Sequence, residues 1–597
     1  MPGVREYSTP LQMTVPTQGN LTDDVVANAT SHPSQAVFAV REGDGWRDIS
    51  AAQFHETVSA VAKGLIALGT EVGDRVALLS KTRYEWTVLD YAIWTAGLVT
   101  VPIYETSSAQ QIEWILSDSA ARTVVVEDAC HLGRIGEIRD QTPSVHEVFS
   151  IEDGAIARLI EIGSDVTEEV LEQRRTSATP ADPATIIYTS GTTGRPKGCV
   201  LTHGNFMFEL GVAVEELHEL FDRDDASTLL FLPLAHVFAR IIQIGCVKAR
   251  VRLGHSADIK RLVQDLGTYQ PTFILAVPRI FEKVFNTASQ RAVADGKGRI
   301  FQQAADVAIQ WSRNLDSGKR GLATKAQHAI FDKLVYAKLR DTLGGRCTYA
   351  VSGGAPLGER LGHFYRGIGL TILEGYGLTE TTAALTVNLP HDLKIGTVGR
   401  PLQGTSVRVA DDGELCFKGG QVFSHYWNNQ EATAEALADD GWFHTGDVGE
   451  IDDEGFVRIT GRKKEILVTA GGKNVAPAVL EDLVRGSALV DQCLVVGDGQ
   501  PFIAALVTID REAFEAWLTQ HDKRGTVADH VNDPDLIAAI QPAIDEANKA
   551  VSQAESIRKF RILEAEWTDE GGQLTPSLKL KRNVVMREHA DDVAELY

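Results

Sequence analysis

Basic charge is what this chain is short of: 58 Lys and Arg stand against 81 Asp and Glu, a formal net charge of −23 over 597 residues. That balance argues against a nucleic-acid partner and against electrostatic docking on an anionic membrane, since both require basic surface. Cysteine is scarce as well. Cys130, Cys199, Cys246, Cys347, Cys416 and Cys493 form no CxxC pair and no Cys/His spacing, so neither a zinc site nor a disulfide framework is expected, and the thiols read as reduced in a cytoplasmic protein. Long apolar runs are missing too: the most apolar stretch, residues 89–104, is broken by Asp90 and Pro102. It reads as a buried helix running into a strand, and nothing is long and clean enough to span a bilayer. The opening Met1-Pro-Gly-Val-Arg-Glu-Tyr7 has no charged-then-apolar export pattern. A cytoplasmic protein is therefore expected, with peripheral contact at the inner membrane left open, and with oligomeric state, homodimer included, also open.

What is present is ordinary globular material, 44% hydrophobic and 23% charged, at a length that predicts several domains or subdomains. Phe54, Val58, Val61, Leu65 and Leu68 recur at spacings of three and four between Ser50 and Gly69, which predicts an amphipathic helix with a Ser cap and a Gly stop. Arg75-Val-Ala-Leu-Leu-Ser80 and Thr123-Val-Val-Val126 read as buried strands, and Tyr84-Glu-Trp86 opens another helix. Helices and apolar strands alternate from there to residue 187, which predicts a largely parallel sheet with helices on both faces.

That alternation leads into Tyr188-Thr-Ser-Gly-Thr-Thr-Gly-Arg-Pro-Lys-Gly198. Glycines free backbone N–H groups, small hydroxyls add donors and a lysine adds charge, which is what a phosphate chain needs. It is not a Walker A loop, because Lys197 sits between Pro196 and Gly198. Further on, Gly375-Tyr-Gly-Leu-Thr-Glu-Thr-Thr382 offers a ring face for a base and a hard oxygen ligand suited to Mg²⁺. Asp447, in Gly441-Trp-Phe-His-Thr-Gly-Asp447, can accept both hydroxyls of a ribose. Ser406-Val-Arg-Val and Glu414-Leu-Cys-Phe-Lys alternate around Asp412-Gly413 and predict a hairpin.

The residue 188–198 run resembles the signature of the AMP-forming adenylate enzymes, the superfamily of acyl-CoA synthetases, luciferases and peptide-synthetase adenylation domains, and the resemblance runs from about residue 21 to residue 582. Ile274-Leu-Ala-Val-Pro-Arg-Ile-Phe-Glu-Lys-Val-Phe285, with the long helical interval before Ser352-Gly-Gly-Ala-Pro356, is similar to the long-chain fatty acyl-CoA synthetases. A solvent-facing insertion without a role in substrate choice is the competing reading of that interval.

The resemblance implies an α/β protein: a large N-terminal domain, residues 1–462, of two helix-flanked sheets plus a small β-barrel, and a smaller mobile α+β lid, residues 463–597. It implies that a fatty acid and ATP give acyl-AMP and pyrophosphate, and that coenzyme A then takes the acyl group. Phosphates fall to Thr189, Ser190, Gly191, Thr192, Thr193, Gly194 and Lys197, and the metal to Thr192 and Glu380. Adenine falls to Gly353, Gly354, Ala355 and Pro356 with Glu374, Gly375, Tyr376 and Gly377, ribose to Asp447 and Arg462, and the α-phosphate region to Thr379. His236, in Phe231-Leu-Pro-Leu-Ala-His236, lies beside the carboxylate in the family. Lys464 matches its hinge residue and Gly471-Gly472 its pantetheine loop. Lys579, three residues before Arg582, matches the catalytic lysine, although Leu578 stands where the family has Gly, which leaves Lys581 as a competitor. Transfer to a carrier protein in place of coenzyme A, and an inactive lipid- or nucleotide-binding scaffold, are the remaining alternatives.

Overall fold

The computed structural model describes residues 4–189, 195–318, 321–568, 571–575 and 579–597. Its frame is a pair of sheets. Four neighbours in the seven-stranded sheet, Pro183–Thr189, Val99–Ile103, Arg75–Leu79 and Thr123–Val126, run parallel, and the antiparallel Lys197–Thr202 closes one side. The largely apolar or β-branched character of these strands follows from burial on both faces; all four residues of Thr123–Val126 are buried. The nine-stranded sheet has a parallel centre that includes Arg252–His255, Ser227–Leu230, Phe273–Ala276, Tyr349–Ser352 and Thr371–Tyr376. Helices with one apolar stripe cover them, and the helix read around Phe54 to Leu68 spans Ala51–Ala67 with Ser50 and Gln53 in a reciprocal cap.

This arrangement decides where the site can be. Strands Pro183–Thr189, Ser227–Leu230, Tyr349–Ser352 and Thr371–Tyr376 each end at a segment singled out in the sequence. The first belongs to the seven-stranded sheet and the other three to the nine-stranded one, and in each parallel sheet such ends lie on one edge, where loops are free to meet a ligand.

The element expected as a barrel is a five-stranded antiparallel sheet in the order Glu6–Ser8, Ser406–Val409, Glu414–Lys418, Phe443–Ile451, Val457–Arg462. Beyond it Val490–Val496, Ile503–Ile509 and Ile557–Ile562 form a three-stranded sheet under helices Pro477–Arg485, Arg511–Gln520 and Pro534–Lys549. Its core, from Val475 to Ile562, uses no side chain from the large sheets.

The long interval after Phe285 is not uniformly solvent-facing. Helix Gly298–Ser317 buries Phe301, Ala304, Ala305 and Ala308, and it crosses helix Glu359–Gly367 so closely that a β-carbon on Gly367 would lie 2.1 Å from the Ala308 carbonyl oxygen. Helix Leu322–Phe331, by contrast, buries none of its residues. No described helix is long and apolar enough to cross a membrane.

Candidate functional site

Residues far apart in sequence converge at these sheet edges. Asp447 lies on strand Phe443–Ile451, and the Tyr376 hydroxyl donates to its Oδ2 at 2.6 Å while Arg462 Nε donates to Oδ1 at 2.8 Å. Asp447 and Arg462 are register partners on adjacent strands, which explains the pairing. Tyr376 packs at 5.9 Å from Phe417, and burial followed by the Asp447 charge drives its phenol well above the ordinary tyrosine range. The ring expected to carry adenine is thus steered by the carboxylate expected to carry ribose.

Gly377 is needed for the backbone to pass here: a β-carbon would meet the Ala383 carbonyl oxygen at 1.4 Å. Thr382 and Ala383 themselves hold positive φ, 54° and 99°, a local strain that neighbouring bonds must overcome. Thr382 Oγ1 donates to the Gln421 carbonyl at 2.7 Å, and the Ala384 N–H donates to Glu209 Oε1 at 3.3 Å. Glu209 is fully buried on helix His203–Glu216, and burial pushes its carboxyl well above the usual range. The sequence reading passed over Glu209 because it lies on an otherwise apolar helix face.

The same loop carries Thr379 and Glu380 in the short turn Thr379–Thr381. Tyr426, also unforeseen, donates its hydroxyl to Glu380 Oε1 at 2.7 Å, and Lys197 Nζ stands 5.2 Å from the centre of the same ring. Tyr426 pairs with Cys199 across adjacent strands, so the strand leaving the signature loop builds this contact. Among the described residues Glu380 forms no ion pair. Ser190, Gly191, Thr192, Thr193 and Gly194 lie outside the described residues.

His236 caps helix Val237–Ala249: its Nδ1 accepts from the Phe238 N–H at 3.1 Å, which leaves the ring proton on Nε2. Burial first, and then the Lys579 charge, lower its pKa to about 3, so the imidazole is neutral at physiological pH. One turn on, Arg240 is wholly buried and binds Asp90, with Nε donating to Oδ2 at 2.9 Å, and Thr185 completes the group. The buried ion pair ties this helix to helix Tyr84–Thr95, and the Arg240 bond to Thr185 ties it to the strand that feeds the signature loop.

Lys579 arrives from the other domain. Its N–H donates to Thr575 Oγ1 at 3.0 Å and its carbonyl accepts from the Thr575 N–H at 2.7 Å. Arg582 braces this turn against the lid core, donating to Glu481 Oε1 and, at 2.5 Å, to the Val495 carbonyl. A β-carbon on Gly354, whose φ is +83°, would lie 3.9 Å from Lys579 Nζ. Lys579 is exposed to solvent. The protein around its ammonium nevertheless lowers the pKa by desolvation, helped by Arg462 and opposed by Asp447 and Glu465. Of the two lysines left open by the sequence, Lys579 is the one beside Gly354, whereas Lys581 stands at the N-cap position of helix Arg582–Glu588.

Other expected residues lie elsewhere. Gly471 and Gly472 are exposed in the turn between Leu467–Val468 and Asn474–Val475, and Lys464 is exposed in the turn Lys463–Glu465 that follows Arg462. Glu374 accepts from the Leu357 N–H at 3.0 Å, and burial and then Asp482 of the lid push its carboxyl up to about 7. The segment read for chain length, Pro278 onward, sends Phe281 and Phe285 into the core and pairs Arg279 with Asp491 of the lid. Cys416 and His444 are cross-strand partners and, with Glu414, bring three potential metal ligands within 4.8 Å, a grouping that linear spacing does not reveal. Lys463 already pairs with Glu414 at 3.2 Å.

The AMP-binding enzyme family matches residues 25–427, and the AMP-binding enzyme C-terminal domain matches residues 464–597. The chain is 51% identical over 599 residues to a protein of Mycobacterium bovis called long-chain-fatty-acid–CoA ligase FadD15, with both chains covered completely. A solved Mycobacterium tuberculosis fatty acyl CoA synthetase matches at TM-score 0.62 and 25% identity, covering 96% of this chain and 99% of that one. The fold is also that of the adenylation domain of a carboxylic acid reductase from Segniliparus rugosus, at TM-score 0.73, 22% identity and coverage of 97% and 94%. With both halves of the chain matched, this protein belongs to the AMP-binding enzyme family.

Proposed function

We propose that the protein is a long-chain fatty acid–CoA ligase that works in two steps, acyl adenylation and thioester formation. The observation that carries this is the delivery of Lys579 by the small domain to Gly354, beside the Asp447, Tyr376 and Arg462 group. A carboxylate with an ordinary pKa near ~4 is already ionised at neutral pH and needs no general base. The chain must instead neutralise charge, align the reactants and exclude water.

In this reading the fatty carboxylate attacks the α-phosphorus of ATP and the bond to pyrophosphate breaks. Lys197 and the 189–194 loop hold the departing phosphates, Thr379 lies at the α-phosphate, Asp447 and Arg462 take the ribose, and Gly353, Gly354, Ala355, Pro356, Gly375 and Tyr376 take adenine. Lys579 stabilises the charge shared by the carboxylate and the α-phosphate, and neutral His236 can donate from Nε2 without repelling that lysine. Glu380 is a hard oxygen donor with no cation paired to it among the described residues, which fits Mg²⁺. Bound there, with Glu380 and Thr192 as protein ligands, Mg²⁺ would supply neutralisation of phosphate charge.

The lid, residues 463–597, then turns about Lys464. Lys579 withdraws, and the face with Gly471 and Gly472 receives coenzyme A, whose thiol attacks the acyl carbon and expels AMP. The enzyme acts in the cytoplasm with peripheral access to the membrane where its substrate partitions. The test is carboxylate-dependent pyrophosphate exchange and thioester formation with acids from acetate to long chains, offered with coenzyme A or a carrier protein. Long-chain acids with coenzyme A should give the highest turnover; preference for acetate or an aromatic acid, or transfer only to the carrier, would overturn the assignment.

A further inference from the structure

The helical insertion carries an apolar ridge that nothing in the described chain covers. Leu322, Ala326, Ile330 and Leu334 follow at four-residue intervals through helix Leu322–Phe331 and the π-helical turn Asp332–Tyr336, and so share one face about 18 Å long. Leu322, Ile330 and Leu334 are 86%, 58% and 56% exposed. The face is held in place from behind: His328 Nε2 lies 2.7 Å from the Gly367 carbonyl oxygen, and its ring stacks at 4.4 Å on Trp311.

Its charge is the reverse of the chain's. Between residues 321 and 346, Lys325, Lys333, Lys338, Arg340 and Arg346 stand against only Asp332 and Asp341. Arg340 takes Asp332 and Arg346 takes Asp225. Lys325, Lys333 and Lys338 remain exposed beside the ridge and pair with no carboxylate among the described residues. Net charge conceals this segregation.

We propose that the ridge docks the enzyme on an anionic lipid bilayer, with Leu322, Ile330 and Leu334 entering the headgroup boundary and the three lysines facing lipid phosphates. An apolar face flanked by lysines has the chemistry of an interfacial helix. Two copies meeting ridge to ridge would bring like charges together, which favours lipid over self-association. The inference rests on the ligase reading, because a long-chain acid resides in the bilayer. Docking puts its pool next to helix Glu359–Gly367, which follows the Gly353 to Pro356 loop.

The experiment is sedimentation of the full chain with phosphatidylglycerol–phosphatidylcholine vesicles and with pure phosphatidylcholine, alongside ligation of detergent-dispersed palmitate. The variants are I330D/L334D and K325E/K333E/K338E, all at exposed positions, so that folding and ligation of dispersed acid stay unchanged. The parent should sediment with the anionic vesicles and be released by salt. The apolar variant should lose about tenfold in partitioning, and each lysine should contribute roughly fivefold. Equal sedimentation of parent and variants overturns the docking, as does a parent that ligates yet ignores vesicles. A parent dimer that the variants convert to monomers without lipid assigns the ridge to a second copy instead. Failure to ligate dispersed palmitate overturns the ligase reading itself.

Discussion

Replacing Lys579 by Ala is the most discriminating perturbation, because this lysine has one proposed role and little structural one. Its side chain is exposed, while the turn that carries it is held by its own backbone bonds to Thr575 and by Arg582 on Glu481 and Val495. None of these involves the ammonium, so the variant should keep its fold. Stability should even rise slightly at neutral pH. A folded pKa held below the unfolded value means that folding disfavours the charged lysine, an opposing effect present below the folded pKa and gone above the unfolded one. Catalysis should go the other way. Loss of one preorganised donor to developing charge costs about 10²- to 10³-fold, and that loss should appear in carboxylate-dependent pyrophosphate exchange. Thioester formation from supplied acyl-AMP should be nearly unchanged. Lys464→Pro, which stiffens the proposed hinge, should spare exchange and depress thioester formation. Normal exchange by Lys579→Ala would refute the lysine assignment, and equal loss of both half-reactions in Lys464→Pro would refute the rotation.

Tyr426→Phe removes the hydroxyl that orients Glu380 and should lower exchange about tenfold, the worth of a hydrogen bond to a charged group, with a higher Mg²⁺ requirement read from a metal titration. Arg240→Met leaves Asp90 buried without its cation and should cost about 3–5 kcal/mol in urea unfolding, much of it regained when Asp90→Leu is added. Glu374 lies in the field of Asp482 across the domain boundary, and both carboxyls are pushed up to about 7 chiefly by burial. A raised carboxyl pKa means that the docked lid disfavours the charged form, so docking is unopposed below the ordinary carboxyl range, increasingly opposed as pH rises from there to about 7, and opposed to a constant extent above it. Tryptic cleavage at the exposed Lys464 turn, corrected for trypsin's own pH dependence, should therefore quicken from about pH 5 to about pH 7 and level off above, and Glu374→Gln should flatten that rise.

Much of this was legible in the sequence for identifiable reasons. Period and capping located helix Ala51–Ala67 and strand Thr123–Val126 because burial on one or both faces leaves its mark in neighbouring residues. The hairpin at Asp412-Gly413 followed from its turn residues. What sequence could not supply is cross-strand and cross-domain placement. Tyr426 meets Glu380 through pairing of His425–Tyr426 with Lys197–Thr202, and Cys416 meets His444 through another register. Ile274 to Phe285 carries the long-chain resemblance, and within it Arg279 also engages the lid residue Asp491. A motif carries such contacts silently, since the partner lies some two hundred residues away. Glu209 escaped because a polar residue in an apolar helix gives no sign of the strained turn it supports.

The brace from Arg582 to Glu481 and Val495 has a consequence for timing. It makes the lysine turn and the lid sheet a single mechanical part, so the lysine cannot retreat alone and the Gly471-Gly472 face cannot advance while the lysine stays. The two chemical settings of the proposed cycle are mutually exclusive by construction. Like a turnstile, the lid admits the thiol only by taking away the group that made the anhydride, and the order of events needs no separate control.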